Sequence, residues 1–185
     1  MTYQEKLPGL GELRLVPVDP AVDAALLHGW VTQPWARFWG MGDHTEAEVR
    51  EVYEFLDGLA THHAYLITLD GTPVGLFQTY RPEADPVGER YPVRPGDVGM
   101  HLMLVRGEQT RGITSAVVPA LVRFLFTDPA ARRVVAEPDV RNDRALRRLE
   151  AEGFTLDAEI DMPDKRARLA FLTRDRFEAG HPVPA

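Results

Sequence analysis

The chain has 185 residues, 44% hydrophobic and 26% charged, with a net charge of −7 and no cysteine. No apolar run nears the ~18 residues that a membrane span needs, so the composition excludes membrane-spanning and disordered chains; the missing cysteines exclude disulfides, thiol nucleophiles and cysteine zinc sites. The acidic balance argues against nucleic acid as the main partner and favours a cationic substrate. A chain of this length is expected to fold as one domain over residues 1–185. Gln4, Glu5, Lys6 and Pro8 leave no hydrophobic signal segment near the start, which places the protein in the cytoplasm, away from membranes.

From Gly11 to Val18, Leu13, Leu15 and Pro17 alternate with Glu12, Arg14 and Val16, predicting a first strand ended by Asp19 and Pro20. A helix to about Val31 follows. Trp30, Trp35 and Trp39 are all the tryptophans of the chain, and with Phe38 and Met41 they form a patch that is either core or a pocket wall. Thr45 and Glu48 have the capping-box spacing ahead of Val49, Val52, Tyr53, Leu56 and Leu59, one face of a second helix. Strands over Ala64 to Leu69 and Val74 to Tyr80 are joined by Asp70 and Gly71, a hairpin signal. Pro82, Pro86, Pro92 and Pro95 make Arg81 to Gly96 a loop, long enough to carry function.

Val98 to Val105 is a buried strand whose one titratable residue is His101, and a glycine-bearing turn leads from it into an amphipathic helix over Ile113, Ala116, Val117, Ala120, Leu121, Phe124 and Leu125. Pro119 inside that pattern is expected to kink the helix or fray its first turn. Arg133 to Glu137 is a further strand; Asn142 caps a helix over Asp143 to Glu152 that Gly153 stops. Thr155 to Met162 and Arg166 to Thr173 form a closing hairpin before a short polar tail. The order predicts an α/β fold with a mixed central sheet of about six to seven strands flanked by helices.

The strand-to-helix junction can receive phosphate, because the opening N–H groups of a helix lack internal partners and carry partial positive charge. His101 is either a core histidine bonded to a neighbouring carbonyl or a general base that accepts the proton of an attacking nucleophile. His62 and His63 are adjacent and point in different directions, so no metal site is expected.

Gln109-Thr110-Arg111-Gly112-Ile113-Thr114 resembles the pyrophosphate loop of the GNAT acyltransferases. The resemblance sharpens to the hydroxamate-siderophore branch through His28 with Trp30, Phe38-Trp39, Tyr80, the Gly96-Asp97-x-Gly-x-His101 block, Glu137-Pro138-Asp139 with Asn142, Gly153-Phe154 and Asp164-Lys165-Arg166-Ala167. Together these blocks span roughly residues 28–172. It implies an acyl-CoA donor such as acetyl-CoA, held by Gln109, Arg111, Gly112, Ile113, Thr114 and Asn142, with His101 and Asp139 as the catalytic pair. Trp30, Trp39, Gln78 and Tyr80 are the implied substrate-side residues, although the family usually has Glu where Gln78 stands.

The implied reaction is transfer of an acyl group to the amine or hydroxylamine of a lysine- or diamine-derived siderophore precursor. Whether the donor is free acyl-CoA or an acyl carrier protein is left open. Two other readings stand beside it. One is aminoglycoside 6′-N-acetylation, since the tryptophan-rich segment also resembles those relatives; the other is a GNAT-like module that binds without catalysis, which only Gln78 supports.

Overall fold

The computed structural model describes residues 3–107, 110 and 112–181. Within it the chain forms two compact units, Met1–Thr79 with His101–Thr114, and Tyr80–Met100 with Ser115–Ala185.

The first unit opens with strands β1 (Tyr3–Leu7) and β2 (Gly11–Pro17), antiparallel with Tyr3 opposite Leu15. Helix α1 (Pro20–Val31) follows, capped by the Asp19 carboxylate, which accepts the Ala21 N–H. A six-residue 3₁₀ turn over Pro34–Trp39 carries two of the tryptophans. Helix α2 (Glu46–Asp57) has both halves of the expected capping box: the Glu48 N–H donates to Thr45 Oγ1 and the Thr45 N–H to Glu48 Oε2. Strands β3 (His62–Leu69) and β4 (Thr72–Tyr80) are joined by Asp70 and Gly71, both at positive φ (47° and 81°), as the expected tight hairpin turn requires. Asp70 also accepts the Glu12 N–H at 2.8 Å. The core of this unit gathers Leu27 and Val31 of α1, Val49 and Tyr53 of α2, and the strand residues Leu66, Leu76 and Met103, with Trp30, Trp35 and Trp39 packed against them.

The second unit begins with the proline-rich loop, which contains 3₁₀ turns at Pro82–Ala84 and Pro86–Glu89, each started by a proline. Strand β5 (Asp97–Leu104) runs parallel to β6 (Arg133–Ala136), with Asp97 opposite Arg133. Helix α3 (Thr114–Leu125) continues through Pro119. Helix α4 (Asp143–Ala151) starts at the expected cap, where Asn142 Oδ1 accepts the Ala145 N–H at 3.2 Å. Strands β7 (Thr155–Asp161) and β8 (Arg166–Thr173) form the closing hairpin, and β8 also pairs antiparallel with β6.

Hydrogen bonding orders the eight strands as β1-β2-β3-β4-β5-β6-β8-β7. The α/β class with a mixed sheet flanked by helices is borne out, and the strand count is corrected from about six to seven up to eight. The added strand is β1, a five-residue edge strand carrying Gln4, Glu5 and Lys6, whose polarity hides it from a periodicity reading. The polar tail is corrected as well: Arg174–Gly180 is a helix, α5, capped by the Thr173 hydroxyl and anchored by buried Phe177. Among the described residues no helix is long and apolar enough to cross a membrane.

Asp97 anchors the end of the proline-rich loop. Its carboxylate accepts from Arg133 Nε and an Arg133 terminal NH₂ (2.7 Å each), from the Arg94 N–H at 2.9 Å and from the Tyr91 hydroxyl at 3.0 Å. Arg133 also lies over the Phe171 ring, 4.3 Å from its centroid. Burial opposes ionisation of Asp97, but these donors outweigh it and hold the carboxyl below its usual range. Because the folded value is depressed below the unfolded one of about 3.9, the stabilisation is fully present above pH ~4 and is lost as pH falls through the folded value. Replacing Asp97 by Asn strands the Arg133 guanidinium and is expected to cost about 3 to 5 kcal/mol in urea unfolding at neutral pH, with a smaller acid-induced loss than in the wild type.

Candidate active site

The period-two alternation of a strand places His101 on the same face of β5 as Met103, and Gln78 on the same face of β4 as Leu76. Met103 and Leu76 both belong to the apolar core of the first unit, so the two polar side chains sit beside a dry surface. His101 Nδ1 lies 3.3 Å from Gln78 Oε1, and the Gln78 amide nitrogen donates to the Tyr53 hydroxyl at 3.3 Å. Trp39 meets the imidazole edge to face, with ring centroids 6.3 Å apart and planes at 80°.

Tyr53 is supplied by α2, whose register the Thr45–Glu48 box sets, and only 2% of it is exposed. Burial pushes its phenol far above the ordinary value even though Trp39 and Gln78 hydrogen-bond to it, so it stays protonated at any physiological pH. Among the described residues, Gln78, Tyr53 and Trp39 around the imidazole carry no charge. When His101 Nδ1 carries the ring hydrogen it donates to the Gln78 carbonyl, which leaves the lone pair on Nε2.

All three tryptophans pack against the core cluster, and Trp39 in addition meets the His101 ring edge to face.

In the second unit, Tyr80 and Asp139 enter a different group. Tyr80 is buried, with its hydroxyl donating to Glu137 Oε2 at 2.6 Å, and Lys165 Nζ lies 3.6 Å from the other Glu137 oxygen. Burial first, and then the Glu137 charge, raise the Tyr80 phenol well above its usual range, so it acts as a fixed donor to that carboxylate. Gly99 makes room for it: a Cβ there would fall 2.1 Å from the Tyr80 ring.

Asp139 is buried, and its backbone bridges to Ala167. Its carboxylate accepts the Arg141 N–H at 2.8 Å, Arg141 Nε at 2.9 Å and an Arg141 terminal NH₂ at 2.6 Å. The Arg141 hydrogen bond, against some burial cost, holds Asp139 below the usual carboxylate range, as a fixed anion rather than a proton acceptor near neutrality. Asn142 is occupied as the cap of α4.

At the expected phosphate loop, Thr110 Oγ1 donates to the Val105 carbonyl and accepts the Gly107 N–H at 3.0 Å, closing the turn after β5. Gly112 has φ +80°, a conformation that favours glycine, with open space where a side chain would begin. Ile113 is buried and α3 starts at Thr114. Gln109 and Arg111 lie outside the described residues. Among the described residues no group of three or more His, Cys, Asp or Glu is placed to hold a metal ion.

Two residues escape the sequence reading of the site: Tyr53 and Arg141. Tyr53 had a signal, since a phenol inside the stripe Val49, Val52, Leu56 needs a buried partner. Arg141, two positions after Asp139, had none.

Against known proteins, a model of the acetyltransferase (GNAT) domain matches residues 19–162. The N(6)-hydroxylysine O-acetyltransferase of Escherichia coli is 30% identical over 165 residues, 86% of this chain and 51% of that protein, so the chain spans about half the length of this relative. The lysine N-acyltransferase MbtK of Mycobacterium sp. (strain MCS) is 29% identical over 94% of this chain and 72% of its own length. Among solved structures, AAC(6′)-Ib with paromomycin and acetyl-CoA superposes with a TM-score of 0.81 at 28% identity, covering 94% of this chain and 99% of that one.

Arg141 is the first cause of the depressed Asp139 carboxyl, so Arg141→Ala is expected to raise it to or above the ordinary value of about 3.9. A ¹³C NMR titration of the Asp139 carboxyl reads the shift.

Proposed function

The chain belongs to the acetyltransferase (GNAT) domain family, and from that premise we propose that it transfers an acyl group from acyl-CoA to the side-chain amine or hydroxylamine of a lysine- or diamine-derived siderophore precursor. The observation that supports the reading is His101, whose Nδ1 lies 3.3 Å from Gln78 Oε1 and whose ring Trp39 meets edge to face. The hydroxylysine and lysine specificities of the two relatives support the acceptor class. So does the acidic outer surface of α2, where Glu46, Glu48, Glu51, Glu54 and Asp57 are all exposed and attract a cationic acceptor.

In this reaction the acceptor nitrogen attacks the thioester carbonyl carbon. An N–C bond forms as the nitrogen's proton passes to His101 Nε2. The tetrahedral intermediate then collapses, the C–S bond breaks, and the thiolate leaves and takes up a proton as free thiol. An N-hydroxylamine suits the site because it is less basic than an alkylamine and reaches the site already neutral. The donor pyrophosphate belongs at the head of α3, where Gly112 lets the backbone approach closely and the helix dipole favours negative charge. Gln109, Arg111, Ile113 and Thr114 complete that loop in our reading, with Asn142 as a contact to the cofactor chain and Trp30 and Tyr80 on the acceptor side. Asp139 contributes as a fixed anion, because Arg141 already fills its carboxylate.

A second reading, aminoglycoside N-acetylation, is favoured by the AAC(6′)-Ib likeness over nearly the whole chain.

Thiol release from acetyl-CoA with N6-hydroxylysine is expected in the wild type and is expected to fall by about 10² to 10⁴ in kcat in His101→Ala. Full activity in that variant removes His101 from the mechanism. Faster thiol release with kanamycin than with hydroxylysine transfers the assignment to the second reading.

A further inference from the structure

A cleft of about 110 Å³ opens in the first unit where the end of β2, the last turn of α2 and the start of β3 meet. Tyr53, Asp57, His62, His63 and Tyr65 line it. Tyr53 and Asp57 stand one turn apart on α2 and share a face, the phenol buried as the floor and the carboxylate exposed at the rim. Tyr53 also joins the cleft to the candidate active site. Its hydroxyl meets the Gln78 amide nitrogen at 3.3 Å, and Gln78 Oε1 lies 3.3 Å from His101 Nδ1. These two contacts and the width of the amide between them put the phenol oxygen within about 9 Å of the imidazole.

The lining has the chemistry of a cation site. α2 has no basic residue in its last turn, and Asp57 adds a carboxylate where the helix dipole already concentrates negative charge. That placement gives α2 no stability, but it makes a rim at which a cation is favoured. Half-buried Tyr65 adds an aromatic wall able to meet a cation or its methylenes, and His62 and His63 add ring nitrogens.

We propose that this cleft is the subsite for a primary ammonium group carried by the acceptor five carbons from its reacting nitrogen, with Asp57 as the residue that selects it. This rests on the reading of the chain as an acyltransferase for lysine- or diamine-derived acceptors. The six bonds between the two nitrogens of such an acceptor span about 7 Å when extended, which fits the distance from imidazole to phenol. The α-ammonium of N6-hydroxylysine and the terminal ammonium of N-hydroxycadaverine both stand at that separation. The acidic outer surface of α2 draws cations toward the protein in general; the cleft gives one of them a fixed place.

Thiol release with N6-hydroxylysine, N-hydroxycadaverine and N-pentylhydroxylamine tests this, the third having the same chain without the ammonium. The wild type is expected to show a KM about tenfold or more higher for N-pentylhydroxylamine than for the better of the other two. A lower KM for hydroxylysine assigns the cleft to an α-ammonium, and a lower KM for hydroxycadaverine assigns it to a diamine. Asp57→Asn is expected to raise KM about three- to tenfold for the ammonium-bearing acceptors, with kcat within a factor of about two. Asp57→Lys is expected to raise it further while Tm holds or rises, because a cation suits that end of the helix.

NMR of the Tyr65 ring during titration with cadaverine reads the cleft without turnover: shifts are expected in the wild type and none in Asp57→Lys. A protein that shows these shifts but is inactive on every hydroxylamine rejects the reaction and keeps the cleft. An active enzyme whose KM ignores the ammonium overturns the proposal, as do absent shifts. So does an equal KM rise in Glu54→Gln, a last-turn carboxylate outside the cleft.

Discussion

The bidentate pairing of Arg133 with Asp97 fixes the point from which β5 is counted. Asp97 stands opposite Arg133 at the start of the parallel β5–β6 pair, and its remaining valence is filled by the loop through Tyr91 and the Arg94 N–H. A slip of one residue would unpair a buried carboxylate and turn every side chain of the strand to the other face. Gly99, which admits the Tyr80 ring, and His101, which meets Gln78, follow at intervals of two along that register. One ion pair thus underwrites both the packing position and the chemical position of the strand.

The two clusters of polar residues solve burial in opposite ways. Among the described residues the groups around His101 are neutral, and satisfaction comes from matching donor to acceptor: imidazole, amide, phenol, indole. Around Glu137 and Asp139 the groups are charged, and satisfaction comes from cations, Lys165 for one and Arg141 for the other. The Arg141 contact holds the Asp139 carboxylate ionised and stationary.

Much of the fold was legible because its signals are local. The Thr45–Glu48 box, the Asp70-Gly71 turn and the Asn142 cap each satisfy backbone groups within a few residues, so residue type alone announces them. The amphipathic stripes of α2 and α3 and the short run around His101 were readable for the same reason. β1 and α5 were not, since the first is a polar edge strand and the second a short helix of about two turns anchored by one phenylalanine. In the site, His101 and Trp39 stood out as residue types, whereas the contact between His101 and Gln78 joins residues 23 apart on two strands and leaves no periodic trace.

The sequence by itself determined the order of the elements, the turns and caps, and the residue types on which the chemistry depends, because these follow from backbone hydrogen bonding and side-chain period over a few residues. The tertiary structure alone decided which partner each buried polar group takes: Gln78 for His101, Tyr53 for Gln78, Arg141 for Asp139, Arg133 for Asp97. The reason is physical. A hydrogen bond is set by distance and direction at its two ends, and for three of these four pairs the ends meet only after strands and helices far apart in the chain have packed; Arg141 and Asp139 stand two residues apart, and there the fold supplies the burial of the carboxylate.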